Sequence, residues 1–159
     1  MSEVDTAQRT FEQLVPHGEE SFMVLKAQLL AEHHVSEYVA ARVPSLASEI
    51  ADRNSPVRSG LALILVAQAL SLRDEIPPTC SDVLWPALKT LNTLRNELAH
   101  TLYPNSDKIA KRMTQFVATV SGQELASEQN LNQAFWHAAN LLVGYLAIDR
   151  QPLTLADVE

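Results

Sequence analysis

Proline and glycine divide the chain into stretches whose apolar positions recur every three to four residues. Residues about 5–15 carry a short pattern of this kind ahead of Pro16. Gly18 opens a longer one over about 19–42, in which Phe22, Leu25, Leu29, Val35 and Val39 fall near helical spacing. Glu19 and Glu20 occupy its first turn, where the helix dipole favours acids. A short helix over 45–53 is expected after Pro44, then a loop or helix start in NSPVRSG, Asn54 to Gly60. The segment LALILVAQALSL, Leu61 to Leu72, is apolar nearly all round, which predicts the central buried helix. Pro77 and Pro78 forbid helix in RDEIPPTCSD, Arg73 to Asp82. The pattern resumes over about 83–102 and again over about 106–121, with Asn105 or Ser106 as the cap and Gly122 as the stop. It closes over about 129–148, where Leu131, Phe135, Leu142 and Leu146 lie near one face. Alternating Val, Ile and Thr runs are almost missing and only four glycines occur, both of which disfavour sheet. The expected fold is therefore all-α: a single-domain helical bundle of about five to seven helices over residues 1–150, with an irregular C-terminal tail at 151–159.

Composition narrows the class without changing that picture. A chain of 159 residues with 47% hydrophobic positions suits one packed core. The one cysteine, Cys80, leaves no internal disulfide and fits a reducing compartment. MSEVDTAQRT is polar and acidic, unlike a secretory signal, and the longest apolar run is too short to span a bilayer. A cytoplasmic protein with no membrane partner is expected. The net charge of −7 argues against a generic nucleic-acid coat, because non-specific binding rests on many cations neutralising phosphates. The charge is uneven, however: residues 1–40 sum to −5, 41–84 to −1, 85–115 to +3 and 116–159 to −4. Lys89, Arg95, Lys108, Lys111 and Arg112 make the third stretch the basic one, either a solvated face or a local anion-binding surface.

That basic stretch contains LRNELAH, Leu94 to His100, inside the helix expected at 83–102. With Arg95 set at 0° and 100° per residue, Leu84, Leu88, Leu91, Leu94, Leu98 and Leu102 fall between about −100° and +20°, a core stripe. Asn92, Asn96, Ala99, His100 and Tyr103 fall between about 40° and 140°. Thr90, Thr93, Glu97 and Thr101 complete the circle and are expected to face solvent. Arg95 stands at the edge of the leucine stripe, so it is expected to be partly buried and to need a carboxylate, a row of carbonyls or a bound anion. The bland solution is a carboxylate on the long early helix, Glu32 or Glu37, with His100 merely closing its own helix.

Arg95-Asn96-Glu97-Leu98-Ala99-His100 resembles the R-x4-6-H signature of the HEPN superfamily, small all-α proteins that include RNA-cleaving toxins and defence nucleases. A polar residue, often Asn, follows the arginine in that pattern, as Asn96 does here. LKTLNTLRNELAH has the leucine spacing of the family's motif helix, and FMVLKAQLLAEHHVSEYV, Phe22 to Val39, loosely resembles its long early helix. Residues 122–159 have no counterpart. The resemblance implies a metal-independent endoribonuclease, without cofactor, in which the ribose 2′-OH attacks the adjacent phosphate and leaves a cyclic phosphate and a 5′-OH. It implies His100 as general acid or base, Arg95 stabilising the phosphorane oxygens, and Asn96 orienting His100. Asn92, Tyr103, Lys89, Lys108, Lys111 and Arg112 are the expected RNA-binding residues around them. It also implies a homodimer in which two motifs line one cleft. A possible antitoxin partner follows from the toxins that continue as H-x-Y. This chain reads His100-Thr101-Leu102-Tyr103, which departs from that subgroup.

Two rivals use the same residues. Glu97-Leu98-Ala99-His100 has the Glu-x-x-His spacing of di-iron bundles, but a second copy is missing from the chain, and adjacent His33 and His34 diverge by about 100°. No metal site is expected. The other rival is a non-catalytic HEPN-like module that binds RNA or serves regulation or dimerisation, in keeping with the acidic net charge. Nucleophilic catalysis finds no footing: Cys80 has no fixed basic partner in sequence, and neither a G-x-S-x-G motif nor a glycine-rich phosphate loop occurs. Trp85 and Trp136 read as core or interface aromatics.

Overall fold

The computed structural model describes residues 3–15, 19–52, 54–58, 60–73, 80–100, 105–123 and 130–148. Among them are seven α-helices and no strand: α1 (Glu3–Leu14), α2 (Glu20–Arg42), α3 (Ala47–Ala51), α4 (Gly60–Ser71), α5 (Ser81–His100), α6 (Ser106–Ser121) and α7 (Leu131–Ile148). Short 3-10 turns at Pro44–Leu46 and Pro56–Arg58 lead into α3 and α4. The all-α bundle expected from periodicity is what forms. The Pro77-Pro78 turn, Tyr103 and the tail at 151–159 lie outside the described residues.

Local chemistry explains several boundaries. Asn105 caps α6, its Oδ1 accepting from the Lys108 amide at 3.0 Å, and Gly122 ends the helix at φ +68°, a conformation that costs glycine little. The α2 helix starts at Glu20 in the absence of a side-chain cap, and Pro44 follows its end.

The long helix α2 is the centre of the bundle. It packs against α4, α5 and α7, and α1 touches its edge. Its buried face runs through Met23, Ala27, Leu30, Ala31, Val35, Tyr38 and Val39, and it also takes in Gln28 and His34. Phe22 and Leu29, apolar and near helical spacing, face outward instead. The α7 helix lies between α1 and α6. Phe11 of α1 meets Trp136 edge to face at 5.3 Å, and the Trp136 indole N–H donates to the Val15 carbonyl at 3.0 Å, so a large aromatic is buried with its polar atom satisfied. Phe135, Leu142 and Leu146 enter the same core, as their spacing predicts. Trp85 packs edge to face on Tyr38, 6.1 Å between centroids, joining α5 to α2.

One expectation is overturned. The most apolar segment, now α4, is not central. It packs on α2 and α5 from one side only, burying Leu63, Ile64, Ala67 and Ser71 and leaving Leu61 and Leu65 exposed, with Leu72 exposed just past its end. Hydrophobic residues on every side make burial favourable, but only neighbouring helices can provide it, and α4 has neighbours on one flank.

Candidate functional site

The end of α5 carries the residues singled out in the sequence. Leu84, Leu88, Leu91 and Leu94 are all buried and Leu98 partly so, as the leucine stripe predicts; Leu102, its last position, lies outside the described residues. The stripe holds α5 against α2, α6 and α7 and thereby fixes which residues remain at its edge. Arg95 is half-buried, as its position beside the stripe predicts. Its Nη1 donates to Asn96 Oδ1 at 2.9 Å. Among the described residues no carboxylate stands within ion-pair distance of Arg95. Glu32 accepts from Gln28 Nε2 at 3.0 Å, and Glu37 sits between His33 and His34 at 3.6 and 3.7 Å. The bland pairing with α2 is therefore not made. Asn96 turns its carbonyl to Arg95 rather than to His100, which is exposed at the last position of α5.

Glu97 corrects a second expectation. It was placed on the solvent sector, yet its side chain is only 19% exposed and lies between α5 and α6. Lys108 Nζ approaches its Oε1 at 2.6 Å and Arg112 Nε its Oε2 at 2.9 Å. The Lys108 ammonium, bonded directly to the carboxylate, holds its pKa below the ordinary value of 4.5, with Arg112 adding to the effect and partial burial opposing it. A helical wheel of α5 alone could not show this, because α6 folds back over the sector opposite the core and supplies two cations spaced one turn apart on its own face.

The expected RNA-binding residues thus divide. Lys108 and Arg112 stand together but are joined to Glu97. Lys111 is exposed and has no ion pair among the described residues. Lys89 lies further back on α5, and its Nζ donates to Gln68 Oε1 of α4 at 2.8 Å. Asn92 is only 5% exposed. It belongs to a buried polar cluster between α2, α4 and α5 that sequence reasoning missed. Gly60 turns the Cα hydrogen that a side chain would replace toward Asn92 Oδ1 and Glu32 Oε1, and a Cβ there would collide with both oxygens. Gln28, bonded to Glu32, is 1% exposed, and its Oε1 has no hydrogen-bond partner among the described residues. The available signals were the Gln28–Glu32 spacing of one turn and a glycine at the head of an apolar run.

Other chemistry finds little support at these positions. Among the described residues no three His, Cys, Asp or Glu side chains converge as a metal site. Glu97 of the Glu-x-x-His spacing is committed to its cations while His100 points to solvent. Cys80 is exposed just before α5, with its carbonyl accepting from the amides of Val83 and Leu84. No described helix is long and apolar enough to cross a membrane. No family model, curated protein or solved structure matches the chain.

Proposed function

We propose that this chain is a metal-independent endoribonuclease of the HEPN type, with a second copy of the chain completing the cleft. The observation that carries this reading is Arg95. Its guanidinium is half-buried, hydrogen-bonded to a neutral amide, and without a carboxylate partner among the described residues. A partly desolvated cation in that state favours an incoming anion, and the planar guanidinium fork fits two phosphate oxygens. His100 stands on the same helix little more than a turn away and is open to solvent. Its imidazole takes the proton of the ribose 2′-OH or returns one to the departing 5′ oxygen, leaving a cyclic phosphate and a 5′-OH. Arg95 stabilises the charge that develops on the phosphorane oxygens. Asn96, bonded to Arg95, holds the guanidinium in place, and exposed Lys111 adds a phosphate contact along the basic stretch.

A second reading is favoured by a separate observation. Glu97 offsets one of the two charges of Lys108 and Arg112, and Asn92 is packed away, so the exposed basic surface is smaller than the sequence suggests. A non-catalytic HEPN-like module that binds RNA or pairs with a protein fits that surface. Incubating purified protein with total RNA and a chelator separates the two. Cleavage by the wild-type chain is expected, with a loss of about 10²–10⁴-fold for His100→Ala, the usual worth of a general acid–base group. Arg95→Lys is expected to fail as well, since an ammonium lacks the fork. Equal activity in wild type and His100→Ala, or no cleavage by either, would remove the catalytic reading and leave the module.

A further inference from the structure

Arg95 and His100 make no use of Glu97, Lys108 and Arg112, although these stand beside them. With Arg95 at 0° on the α5 wheel, His100 falls at about 140°, between Asn96 at about 100° and Glu97 at about 200°. The Arg95 guanidinium leans to the Asn96 side, where its Nη1 donates to Oδ1 at 2.9 Å. Lys108 and Arg112 meet Glu97 on the other side, at 2.6 and 2.9 Å. Exposed His100 is therefore flanked by a guanidinium on one side and an ion cluster on the other.

The cluster is layered. The Glu97 side chain is 19% exposed, that of Arg112 32% and that of Lys108 57%, so the carboxylate forms the floor and the cations rise toward solvent. Two positive charges over one negative leave an outward excess of one, and exposed Lys111, one turn from Lys108, adds another. Asp107, in the first turn of α6, lies about 100° around that helix from Lys108 and outside the cluster. Lys108 and Arg112 are four residues apart on α6, a spacing at which like charges repel and weaken a helix. A carboxylate between them removes that repulsion and orders two flexible side chains before any ligand arrives.

We infer that Glu97 is a positioning residue: it holds Lys108 and Arg112 as a clamp on a phosphate of an RNA strand, across His100 from the phosphate that Arg95 binds. The outward charge excess selects an anion. The arrangement selects a phosphodiester chain, because Arg95 and the clamp are two cationic points on either side of one imidazole, and a strand crossing His100 carries a negative charge at every link. The planar fork of Arg112 suits a phosphate as that of Arg95 does. The inference rests on RNA meeting this end of α5, and neither on its being cut there nor on a second copy of the chain.

Binding of a fluorescent 2′-O-methyl oligoribonucleotide to the full chain tests it, since that strand lacks the attacking hydroxyl and is not cleaved. Lys108→Ala and Arg112→Ala are each expected to weaken binding about 10-fold, the worth of a charge-assisted contact. Each is also expected to flatten the slope of log affinity against log salt concentration, by up to about 0.7 for one phosphate. Glu97→Gln decides the matter. It removes one negative charge from a chain of −7, so electrostatics alone would tighten the hold on RNA. Loss of the positioning carboxylate is instead expected to weaken binding about 3-fold, the scale of a partly exposed ion pair. Glu97→Asp keeps the charge and is expected to recover part of that loss. A purely structural ion pair would lower the unfolding stability of Glu97→Gln and leave the affinity of the folded chain unchanged. Affinity in Glu97→Gln equal to or above that of wild type, or no loss in Arg112→Ala, would overturn the clamp even where wild type cleaves RNA and His100→Ala does not. The expected binding pattern without cleavage would uphold the clamp and remove the ribonuclease reading; no binding by wild type would overturn both.

Discussion

Neighbouring helices α4 and α5 are opposites in sequence, yet they bury about the same share of their residues. The α4 helix carries no charge and is mostly apolar, and it buries four of its twelve residues, Leu63, Ile64, Ala67 and Ser71. The α5 helix carries Lys89, Asn92, Arg95, Asn96, Glu97 and His100 and still buries seven of its twenty, Asn92 among them. Their surroundings bring the two level. The α5 helix touches α2, α4, α6 and α7, whereas α4 touches α2, α5 and the short turn before it. Hydrophobicity measures what a helix gains if it is covered, and the number of neighbours decides whether it is. Polar residues on a well-covered helix must then find partners, and Glu97 with Lys108 and Arg112 is one outcome of that demand.

The strongest way to break the comparison is to cut the same side chain on both helices. Leu91→Ala on α5 removes a fully buried leucine and is expected to destabilise the chain by about 2–5 kcal/mol in urea unfolding. Leu65→Ala on α4, half-exposed within one chain, is expected to cost less than about 1 kcal/mol at concentrations where the chain is monomeric. Equal losses would mean that α4 is buried as deeply as its composition suggests.

Gly60 sharpens the point where the two helices meet. Glycine to alanine in a helix ordinarily stabilises by about 1 kcal/mol. Here the added methyl meets Asn92 Oδ1 and Glu32 Oε1, so Gly60→Ala is expected to destabilise, by about 1–3 kcal/mol as overpacking does. Adding Asn92→Ala is expected to recover part of the loss, measured as a non-additive double-mutant cycle. A gain in stability for Gly60→Ala would show that the close approach is absent.

The smallest effect belongs to Glu97. Removing its charge with Glu97→Gln is expected to cost about 1 kcal/mol or less, because the cations it holds are partly exposed. Its folded pKa lies below the ordinary 4.5, so the unfolded chain takes up a proton first as pH falls. The advantage of wild type over Glu97→Gln should therefore be full above that ordinary value and vanish as pH drops through the folded one. A difference that persists unchanged in acid, followed by thermal melting across pH, would exclude the ion pair as its source.

Much of this protein is legible in its sequence. The helix bounds follow from prolines, glycines, Asn105 as a cap and a period near 3.6, since these act within a few residues of chain. The leucine stripe of α5 and the partial burial of Arg95 follow from the same period. Tertiary structure decided what each remaining face meets. It set α4 at the edge, laid α6 over Glu97, sealed Asn92 beneath Gly60, and turned Phe22 and Leu29 outward. Periodicity specifies the direction in which a side chain leaves its own helix, but the identity of whatever lies in that direction depends on contacts between residues far apart in the chain, and no local pattern encodes them.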